Sequence, residues 1–549
     1  MLASSRCALQ RLGFVVGLAA LHLPAAALWP HPLLITNGTG FLRISESFKI
    51  EFTQPNVFST AQFGDLNLAI EETVYHLEHD HHQRLIVGRD QQSSLLQSYT
   101  YLTDCLVVPS DSTRATLEAN TTLGLLRGLQ TFSQLVYELP QRAQQSIRYI
   151  VDVPLEIRDR PVFPHRAFML DTARNFYPVS DILRTLDAMS FAKLNVFHWH
   201  ATDSQAWPLY VPAFPHLNKN AAYSPVETYS RWDILHIQEY ANARGISVLL
   251  EVDMPGHTAS VASFHPDHVV CLGENTNWAR YAAEPPTGQL RLNKITTTFA
   301  ANIIGSASSM IKSPYFSTGG DEVNENCYLE DKKTQQEMEK RGNATLDLLL
   351  TDFVGSVHDR LRHERKTPVV WEEMVLNHEL SLGLDTIVTV WISSANVRAV
   401  ANKGFRIIHA ASDYFYLDCG AGGWLGNVQG GGDSWCDPFK SWQKIYSFDP
   451  YANVTARQRR LILGGEALLW SEQADPTNLD SMAWPRAAAA AEVFWTGEFI
   501  NGEARSGKEA LPRLHDWRYR MLSRGIRGAP LQPHACALTP GLCDKSSIS

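Results

Sequence analysis

Short apolar runs recur along the chain from residue 165 onward, and longer amphipathic stretches separate them. There are eight such runs: Arg166–Asp171, Leu194–His200, Ile246–Asp253, Tyr315–Glu322, Pro368–Glu373, Thr386–Ile392, Phe405–Ala410 and Leu461–Glu472. Apolar runs of this length are typical of buried parallel strands. Each run ends in, or near, a polar or aromatic residue suited to a functional site.

The stretches between these runs predict helices, which include Ser180–Ala192, Ser230–Arg244, Ala344–Glu364 and Ala395–Lys403. Ser180 is the expected N-cap of the first helix, and Gly245 and Gly404 are expected to end the second and the fourth. Repeated strand-then-helix units predict a (β/α)8 TIM barrel over residues 161–505, with its site at the carboxyl ends of the strands. A doubly wound open sheet is the alternative.

The region before the barrel has a different pattern. Strand-like runs accompany one helical stretch: Phe48–Phe52, Tyr99–Val108 and Ile147–Val153, with the helix at Leu125–Leu135. This combination predicts a small α+β domain over residues 28–160, an antiparallel sheet with helices, which ends in a linker at Asp159–Pro161. After the barrel, residues 506–549 are expected to pack on it as a helix over 509–527 and a disulfide-closed tail.

The first 27 residues have the features of a secretory signal peptide. Arg6 and Arg11 precede an apolar run over Leu12–Leu23, and Ala25–Ala27 provides a small-residue cleavage site. A retained signal anchor is the alternative, but no later stretch has enough uninterrupted apolar residues to span a bilayer. Acceptor sequons agree with a secreted, extracellular or cell-wall-associated protein; they are Asn37, Asn120, Asn343 and Asn453.

Composition adds two constraints. The formal net charge of -9 on 549 residues is mild, so nothing indicates nucleic acid as a partner. The chain has 8 cysteines, of which Cys7 would leave with the signal peptide, so that up to three disulfides are expected in an oxidising compartment. The expected pairs are Cys536–Cys543, Cys419–Cys436 and Cys271–Cys327, with Cys105 left free, although sequence alone does not prove this connectivity.

Asp321 and Glu322 follow two glycines at the end of the fourth apolar run. Neighbouring side chains of an extended segment point apart, but at a strand's end the backbone twists and both can reach one cavity. Glycosidic bond cleavage uses two carboxyl groups, one to protonate the leaving oxygen and one to stabilise positive charge. A Gly-Gly turn with a solvated acidic pair is the alternative.

Charged side chains near the first three runs are further candidates. Arg166 begins the first run and needs either an acidic or multi-hydroxyl ligand or a structural ion pair. Asp203 follows the second run, and a Pro-Gly turn after the third would aim His257 across the barrel mouth. His198 and His200 share a face but have no third ligand at a recognisable spacing, so we interpret them as structural and predict no metal. The stretch His79–His82 lies outside the barrel and is interpreted as solvated surface.

Aromatic residues end several of the later runs. Trp371, Trp391 and Trp470 lie at or near the ends of runs five, six and eight, where they would form a box that stacks on sugar rings. Core packing is the alternative for each one alone. Tyr416, Asp418 and Glu472 are expected to line the same mouth, next to the glycine-rich loop 420–432, which carries Trp424.

These motifs together resemble the family 20 β-N-acetylhexosaminidases, most closely the fungal secreted members. The resemblance runs from about residue 115 to 496 and rests on these segments: Arg166–Arg174, Phe197–Asp203, Asp253–His257, Gly319–Glu322, Trp371, Trp391, Tyr416–Asp418, Gly464–Glu472 and Trp484–Ala487. Many members have His where this chain has Ser317, a position that supports the site and tunes it locally. The resemblance implies an exo-acting hydrolase that releases terminal GlcNAc or GalNAc from chitooligosaccharides or glycans.

In this family the 2-acetamido oxygen of the substrate attacks the anomeric carbon, which gives an oxazolinium intermediate and net retention. By resemblance, Glu322 is the general acid/base, Asp321 and Tyr416 orient the acetamido group, and Asp203 and His257 set the protonation of Glu322. The residues expected to hold the sugar are Arg166, Trp371, Trp391, Asp418, Trp470 and Glu472. The resemblance implies a small oligosaccharide as substrate, no cofactor and, since family members often form homodimers, a homodimeric assembly, for which the sequence shows no interface signature.

Two other readings of the same residues stay open. A catalytically silent sugar-binding protein would keep the aromatic box but would not need both Asp321 and Glu322. A retaining glycosidase with an enzymic nucleophile would need a carboxylate across the anomeric centre from the acid, and Glu373 is a candidate for that role.

Asp418 generates a prediction on specificity. Cys419 follows it where a basic residue could otherwise neutralise an anionic substituent, so a 6-sulfate near Asp418 is expected to be repelled. Comparing kcat/KM for a neutral aryl β-GlcNAc and its 6-sulfated form tests this. The neutral substrate should be preferred, and equal turnover of the two would contradict the prediction.

Overall fold

The computed structural model describes residues 27–45, 48–51, 65–85, 99–100, 103–108, 114–139, 147–274, 276–342, 344–378, 380–426 and 432–545. The predicted signal peptide lies outside these ranges, except for its last residue, Ala27. None of the described helices combines the length and the apolar character needed to cross a membrane.

The N-terminal domain is a mostly antiparallel sheet with helices, as predicted; its described residues form six strands and two helices, of which Leu66–His79 was not predicted. Its longest strand, Ile147–Arg158, pairs along one edge with Leu34–Arg43 and along the other with Thr103–Val108 and Val136–Leu139. The remaining strands are Tyr99–Thr100 and Arg114–Glu118, and the helices are Leu66–His79 and Thr122–Leu135. The predicted strand Phe48–Phe52 is wrong, since its described residues 48–51 form no strand.

The predicted barrel is confirmed. Eight parallel strands close on themselves, with the last strand pairing to the first. In barrel order they are His165–Asp171, Val196–His200, Ser247–Glu251, Tyr315–Ser317, Thr367–Trp371, Ile387–Val390, Arg406–His409 and Ile462–Leu469. Each lies within or beside one of the eight predicted runs, because buried apolar β-prone segments give the clearest signal.

Helices surround the barrel and extend its carboxyl-terminal face. The described ones are Val179–Phe191, Leu217–Ala221, Arg231–Ala243, Lys294–Ser308, Glu325–Glu330, Lys332–Lys340, Leu346–His363, Glu373–Leu376, Val397–Asn402, Trp442–Tyr446, Leu479–Ala483 and Arg486–Thr496. Short strand pairs, Val269–Val270 with Gln289–Leu290 and Phe499–Ile500 with Glu503–Ala504, complete this region. The main hydrophobic core lies between the barrel strands and the helices, and a smaller apolar cluster, which includes Val196, Leu249 and Ile387, fills the inside of the barrel.

Helix ends agree with the predictions except at one position. Ser230 caps its helix and forms a capping box with Asp233, and Gly245 and Gly404 follow two of the helices at φ values of 68° and 87°. The prediction of Ser180 as an N-cap is wrong, because the helix begins at Val179, directly after Pro178. Pro178 occupies the N-cap position, where its ring restricts φ, and Ser180 is the second residue of the helix.

The interpretation of His79–His82 as solvated surface holds for His79 and His81, which are exposed, but is wrong for His82 and Asp80, which contact the C-terminal segment that begins with the helix Gly507–Ser523. His82 is buried, and its Nε2 lies 3.0 Å from Oδ1 of Asp516 in this helix. Asp80 accepts a hydrogen bond of 2.7 Å from Arg524 just beyond it. These contacts bind the N-terminal domain to the end of the chain, a long-range pairing that local polarity does not reveal.

A buried ion pair fixes the same helix to the barrel. Arg513 donates to both carboxylate oxygens of Glu492 at 2.7 Å, and Tyr446 donates to Glu492 at 2.6 Å. Arg513 also donates to the carbonyl of Leu28 at 3.0 Å. Glu492 is fully buried, so the barrel, the C-terminal helix and the start of the N-terminal domain depend on one another for charge compensation at this point.

The three predicted disulfides are formed: Cys271–Cys327, Cys419–Cys436 and Cys536–Cys543. The side chain of Cys105 and the sequon residue Asn343 lie outside the described part of the structure. The other sequon asparagines, Asn37, Asn120 and Asn453, are exposed, which leaves their glycosylation a prediction.

The contribution of the Glu492–Arg513 ion pair to the stability of the protein can be tested by mutation. Glu492→Gln leaves the buried Arg513 charge uncompensated, so we expect the free energy of unfolding to fall by about 3–5 kcal/mol. Urea unfolding measures the loss. The matched control is Glu498→Gln, which removes the partner of the half-exposed Arg459 and should cost under about 1 kcal/mol. Equal losses in the two variants would contradict the assignment.

Candidate active site

The fourth barrel strand ends earlier than the sequence predicts, and this early end creates the site. The strand stops at Ser317, and Gly319 and Gly320 then take φ values of 61° and 99°. A Cβ at Gly319 would lie 1.9 Å from Oδ1 of Asp253, and one at Gly320 would lie 2.6 Å from Met374. Only glycine fits these positions, and the turn they make presents the next two carboxylates at the barrel mouth.

Asp321 is held beside a second buried carboxyl group, that of Asp253. The backbone N–H of Gly320 donates to Oδ1 of Asp253 at 2.7 Å, and carboxylate oxygens of Asp253 and Asp321 lie within 4.8 Å of each other. Burial and the neighbouring Asp321 raise the pKa of Asp253 well above its usual value. Burial also raises the pKa of Asp321, although the His257 imidazole at 3.8 Å acts against this rise. Asp253 is therefore the acid of the pair that binds a proton first as the pH falls.

Glu322 contacts a histidine that is itself fixed by a carboxylate. Nε2 of His257 lies 3.3 Å from Oε2 of Glu322, and its Nδ1 lies 3.1 Å from Oδ1 of Asp203. Burial opposes protonation of His257, but Asp203 and Asp321 raise its pKa well above the usual value. The imidazole is therefore a cation, and both of its N–H groups point at carboxylates.

Arg174 supplies the main positive charge at the mouth. Its guanidinium contacts Asp203 at 2.9 Å and Glu284 at 2.8 Å, and it lies 4.9 Å from the centre of the Trp470 ring. Although Asp203 is fully buried, Arg174 and His257 hold the pKa of its carboxyl well below its usual range. Asp203 thus orients the cations on both sides of it.

The carboxylates open into a cavity of about 360 Å³. Its described lining consists of Arg174, His257, Ala283, Glu284, Asp321, Glu322, Trp391, Tyr416, Asp418, Trp424, Leu425, Ser434, Trp435, Trp470, Glu472 and Gln473. Trp391, Tyr416 and Trp435 form one aromatic wall, with Trp391 and Tyr416 nearly parallel and 6.1 Å apart. Such a cavity, with polar groups at one end and aromatic faces at the sides, suits a sugar ring.

Several acids around this cavity have raised pKa values because they are buried. Burial raises the pKa of Asp418 to about 7 and that of Glu472 well above its usual value, even with Arg174 near Glu472. Burial, and then the charge of Asp321, raise the pKa of Glu373 to about 8. Oε2 of Glu373 accepts a hydrogen bond of 2.8 Å from the Trp391 indole, so it supports the aromatic wall.

The structure places most of the predicted residues at this cavity: Asp321, Glu322, Tyr416, His257, Trp391, Asp418, Trp470 and Glu472 line it. Asp203 lies directly behind His257. Trp371 does not line the cavity; it is fully buried, with its ring 6.2 Å from that of Trp470. His198 and His200 pair with carboxylates inside the barrel, in agreement with a structural role.

The prediction for Arg166 is corrected by its position. Arg166 is the second residue of the first strand and so lies at the amino end of the barrel, opposite the mouth. Its guanidinium donates to the carbonyls of Lys193 and Phe163 at 3.1 and 2.7 Å and packs 4.9 Å from the Trp495 ring. The arginine of the site is Arg174, three residues beyond the end of the same strand.

Sequence reasoning also missed Asp171, Asp253 and Glu284. Asp171 ends strand one, and its Oδ2 lies 3.5 Å from Nη1 of Arg174. Asp253 lies two residues beyond strand three, so the strand-end rule alone would have marked both. Glu284 comes from the segment that the Cys271–Cys327 disulfide closes over the mouth. No local signal marks it, because its role depends on where that long loop lies.

Buried polar atoms without a protein partner converge on the cavity. Among the described side chains they include Oδ1 of Asp321, Oδ1 of Asp418 and Nε1 of Trp470. Buried polar groups in native proteins are normally paired, so these acceptors and this donor are free to bind a polar ligand. A cavity of this composition can bind a hydroxyl-rich ring, protonate a leaving oxygen from Glu322 and stabilise a developing cation.

Comparison with known proteins agrees with this geometry. The family model described as "Glycosyl hydrolase family 20, catalytic domain" matches residues 163–498. A beta-hexosaminidase of Arthroderma benhamiae is 38% identical over 455 residues, which cover 79% of this chain and 73% of that protein. The human beta-hexosaminidase subunit beta is 34% identical and covers 93% of this chain and 90% of its own length.

Solved structures show the same fold. A GH20 exo beta-N-acetylglucosaminidase from Vibrio harveyi, in complex with N-acetylglucosamine, has a TM-score of 0.75 and 21% identity over 94% of this chain and 80% of that chain. A beta-N-acetylhexosaminidase from Streptomyces coelicolor has a TM-score of 0.69 and 22% identity over 94% of this chain and 100% of that chain. The family model matches more than half of this chain, and relatives more than 30% identical to it cover most of its length. The chain therefore belongs to glycosyl hydrolase family 20 and is a β-hexosaminidase.

Proposed function

We propose that the enzyme is an exo-acting, retaining β-N-acetylhexosaminidase that uses the 2-acetamido group of its substrate as the nucleophile. It releases terminal GlcNAc or GalNAc from chitooligosaccharides or glycans. The observation that carries the proposal is the placement of Asp321 and Glu322 as adjacent residues in one cavity, each with its own partner. Two carboxyl groups in different environments can hold different protonation states.

Glu322 is the general acid and base in this mechanism. Its protonated carboxyl donates to the leaving oxygen, and the His257 cation at 3.3 Å then stabilises the carboxylate that remains. Asp321 accepts the N–H of the acetamido group through its unpartnered Oδ1 and stabilises the positive charge of the oxazolinium. Tyr416, which lines the same wall, completes the acetamido site. Water activated by Glu322 then opens the intermediate with net retention.

The binding roles follow from the same cavity. Trp391 and Trp470 stack on the sugar ring and the acetamido methyl group, and Arg174 takes the hydroxyl-binding role first predicted for Arg166. Glu472 and Asp418 bind the far side of the ring. A small oligosaccharide is thus the partner that the site accommodates.

Glu373 does not fit the role of an enzymic nucleophile. A nucleophilic carboxylate must be ionised, but burial and Asp321 raise the pKa of Glu373 to about 8. Its Oε2 is already engaged by the Trp391 indole. These two observations favour the substrate's own acyl oxygen over an enzymic carboxylate.

The raised pKa of Asp418 predicts how the discrimination against 6-sulfated substrates depends on pH. Its carboxyl titrates at about 7, so it is neutral below that pH and negative above it. The kcat/KM ratio of the neutral to the 6-sulfated aryl glycoside should therefore rise severalfold between about pH 5 and about pH 8. In Asp418→Asn, the matched control, the ratio should stay flat; a flat ratio in the unaltered enzyme would contradict the assignment.

The nucleophile is tested with aryl β-GlcNAc substrates whose N-acetyl group carries zero to three fluorine atoms. Fluorine weakens the acyl oxygen as a nucleophile and changes its shape little, so kcat/KM should fall steeply along the series. A flat series would point to an enzymic nucleophile and overturn the mechanism. Binding without turnover of any member would instead indicate a catalytically silent sugar-binding protein.

Asp321→Asn provides the companion measurement. An amide matches the shape of Asp321 but cannot balance the oxazolinium charge, so we expect kcat to fall by about 10²–10³. KM for the parent substrate should change much less than kcat. An unchanged kcat would remove Asp321 from the mechanism.

A further inference from the structure

A continuous line of charged side chains runs from the site into the interior of the barrel. Behind His257 and Asp203, Oδ2 of Asp203 lies 2.9 Å from Nε2 of His200, and Nδ1 of His200 lies 2.6 Å from Oε1 of Glu251. Oε2 of Glu251 lies 3.0 Å from Nε2 of His198. The proposed mechanism uses only the first two members of this line, Asp203 and His257.

The line continues to the eighth strand, which is next to the first strand in the barrel, and Glu466 on that strand also lies 3.8 Å from Nε2 of His165. Nδ1 of His198 lies 3.2 Å from both carboxylate oxygens of Glu466, which belongs to the eighth strand. We call the buried series Glu466, His198, Glu251 and His200 the interior relay. All four side chains are buried, and each ring nitrogen of both histidines faces a carboxylate.

The order of charges in the interior relay is regular. Burial opposes protonation, yet the flanking carboxylates raise the pKa of His198 to about 10 and that of His200 to about 9. Both histidines are therefore cations near neutral pH, and both acids are anions, since their pKa values are lowered. Anions and cations then alternate from Glu466 to His257, and every imidazolium donates in two directions.

We propose that the interior relay is a positioning device for the acid–base group: it fixes Asp203 in place, and Asp203 holds the His257 cation against Glu322. The inference rests on the proposed role of Glu322 as the acid and goes beyond it. Buried ions need excellent geometry and complete pairing to be tolerated. An apolar interior would satisfy the fold, as the cluster of Val196, Leu249 and Ile387 does in the same barrel, so the buried ions beside it call for a function of their own.

Ser317 gives the interior relay a point of adjustment. Its hydroxyl donates to Oε2 of Glu251 at 2.5 Å, and it is the last residue of the strand that leads into Gly319, Gly320 and Asp321. One side chain therefore joins the interior relay to the segment that carries both reacting carboxylates, Asp321 and Glu322. Removal of this bond should disturb the relay without removing a buried charge.

The test separates positioning of the acid from simple structural support. A 2,4-dinitrophenyl leaving group departs without protonation, whereas a 4-methoxyphenyl group requires it. In His198→Gln, kcat/KM should fall at least tenfold for the 4-methoxyphenyl glycoside and less than about twofold for the dinitrophenyl one, because general acid catalysis contributes about 10²–10⁴. Ser317→Ala, which keeps every charge, should lower kcat/KM about threefold for the 4-methoxyphenyl glycoside and leave it nearly unchanged for the dinitrophenyl one. We call such a difference between the two substrates a leaving-group split.

His409→Gln is the matched control. His409 is another buried histidine on a barrel strand, but its Nε2 bonds the carbonyl of Pro450 at 2.9 Å and belongs to no carboxylate series. It should lower stability without a difference between the two leaving groups. Equal losses for both substrates in His198→Gln and Ser317→Ala, or no loss in either variant, would overturn the inference.

Glu322→Gln, measured on the same two substrates, distinguishes failure of the inference from failure of the proposed function. A leaving-group split in Glu322→Gln without one in His198→Gln and Ser317→Ala rejects only the interior relay. Loss of the leaving-group split in Glu322→Gln itself rejects Glu322 as the acid, and the inference then falls with it.

Discussion

The crowding of carboxyl groups at the barrel mouth is the constraint on which the rest of the site depends. Asp203, Asp253, Asp321, Glu373 and Glu472 are all buried or enclosed there, and they cannot all be ionised at once. The structure resolves this in two ways. Asp203 stays negative because cations flank it, whereas Asp253, Glu373 and Glu472 have raised pKa values and are held neutral. Two kinds of carboxyl group thus exist around one barrel mouth, which is what acid–base cleavage needs.

Much of this arrangement could be predicted from the sequence, because it follows from two simple rules. Buried parallel strands are short apolar runs, and barrel sites form where such strands end. These rules located all eight strands and brought Asp321, Glu322, His257 and Trp470 to one mouth. The same rules explain the failure at Arg166. The residue lies on the first strand but near its amino end, whereas the site forms at the carboxyl ends of the strands. Arg166 was therefore assigned to the site from its strand alone, without regard to its position along that strand.

Other features had no local signal. His82 and Asp80 read as surface because their partners, Asp516 and Arg524, lie more than four hundred residues away in sequence. Protonation is equally nonlocal, since no pattern marks Asp253 as the acid that keeps a proton beside Asp321. Sequence periodicity reports which face of an element is buried. It does not report which buried charged side chains contact one another, and those contacts set the protonation states on which the reaction depends.

The backbone at the acid itself shows how the fold supports this chemistry. Glu322 and His257 both have positive φ, at 52° each, a conformation that costs roughly 1–3 kcal/mol for a residue with a side chain. Their loops approach so closely that a Cβ on Gly256 would lie 2.9 Å from the carbonyl oxygen of Asp321. Relaxation of either residue would lengthen the 3.3 Å contact between the imidazole and Glu322. The strain persists because rigid strands flank both turns, so the stability of the barrel maintains the geometry in which Glu322 can give up its proton and take it back.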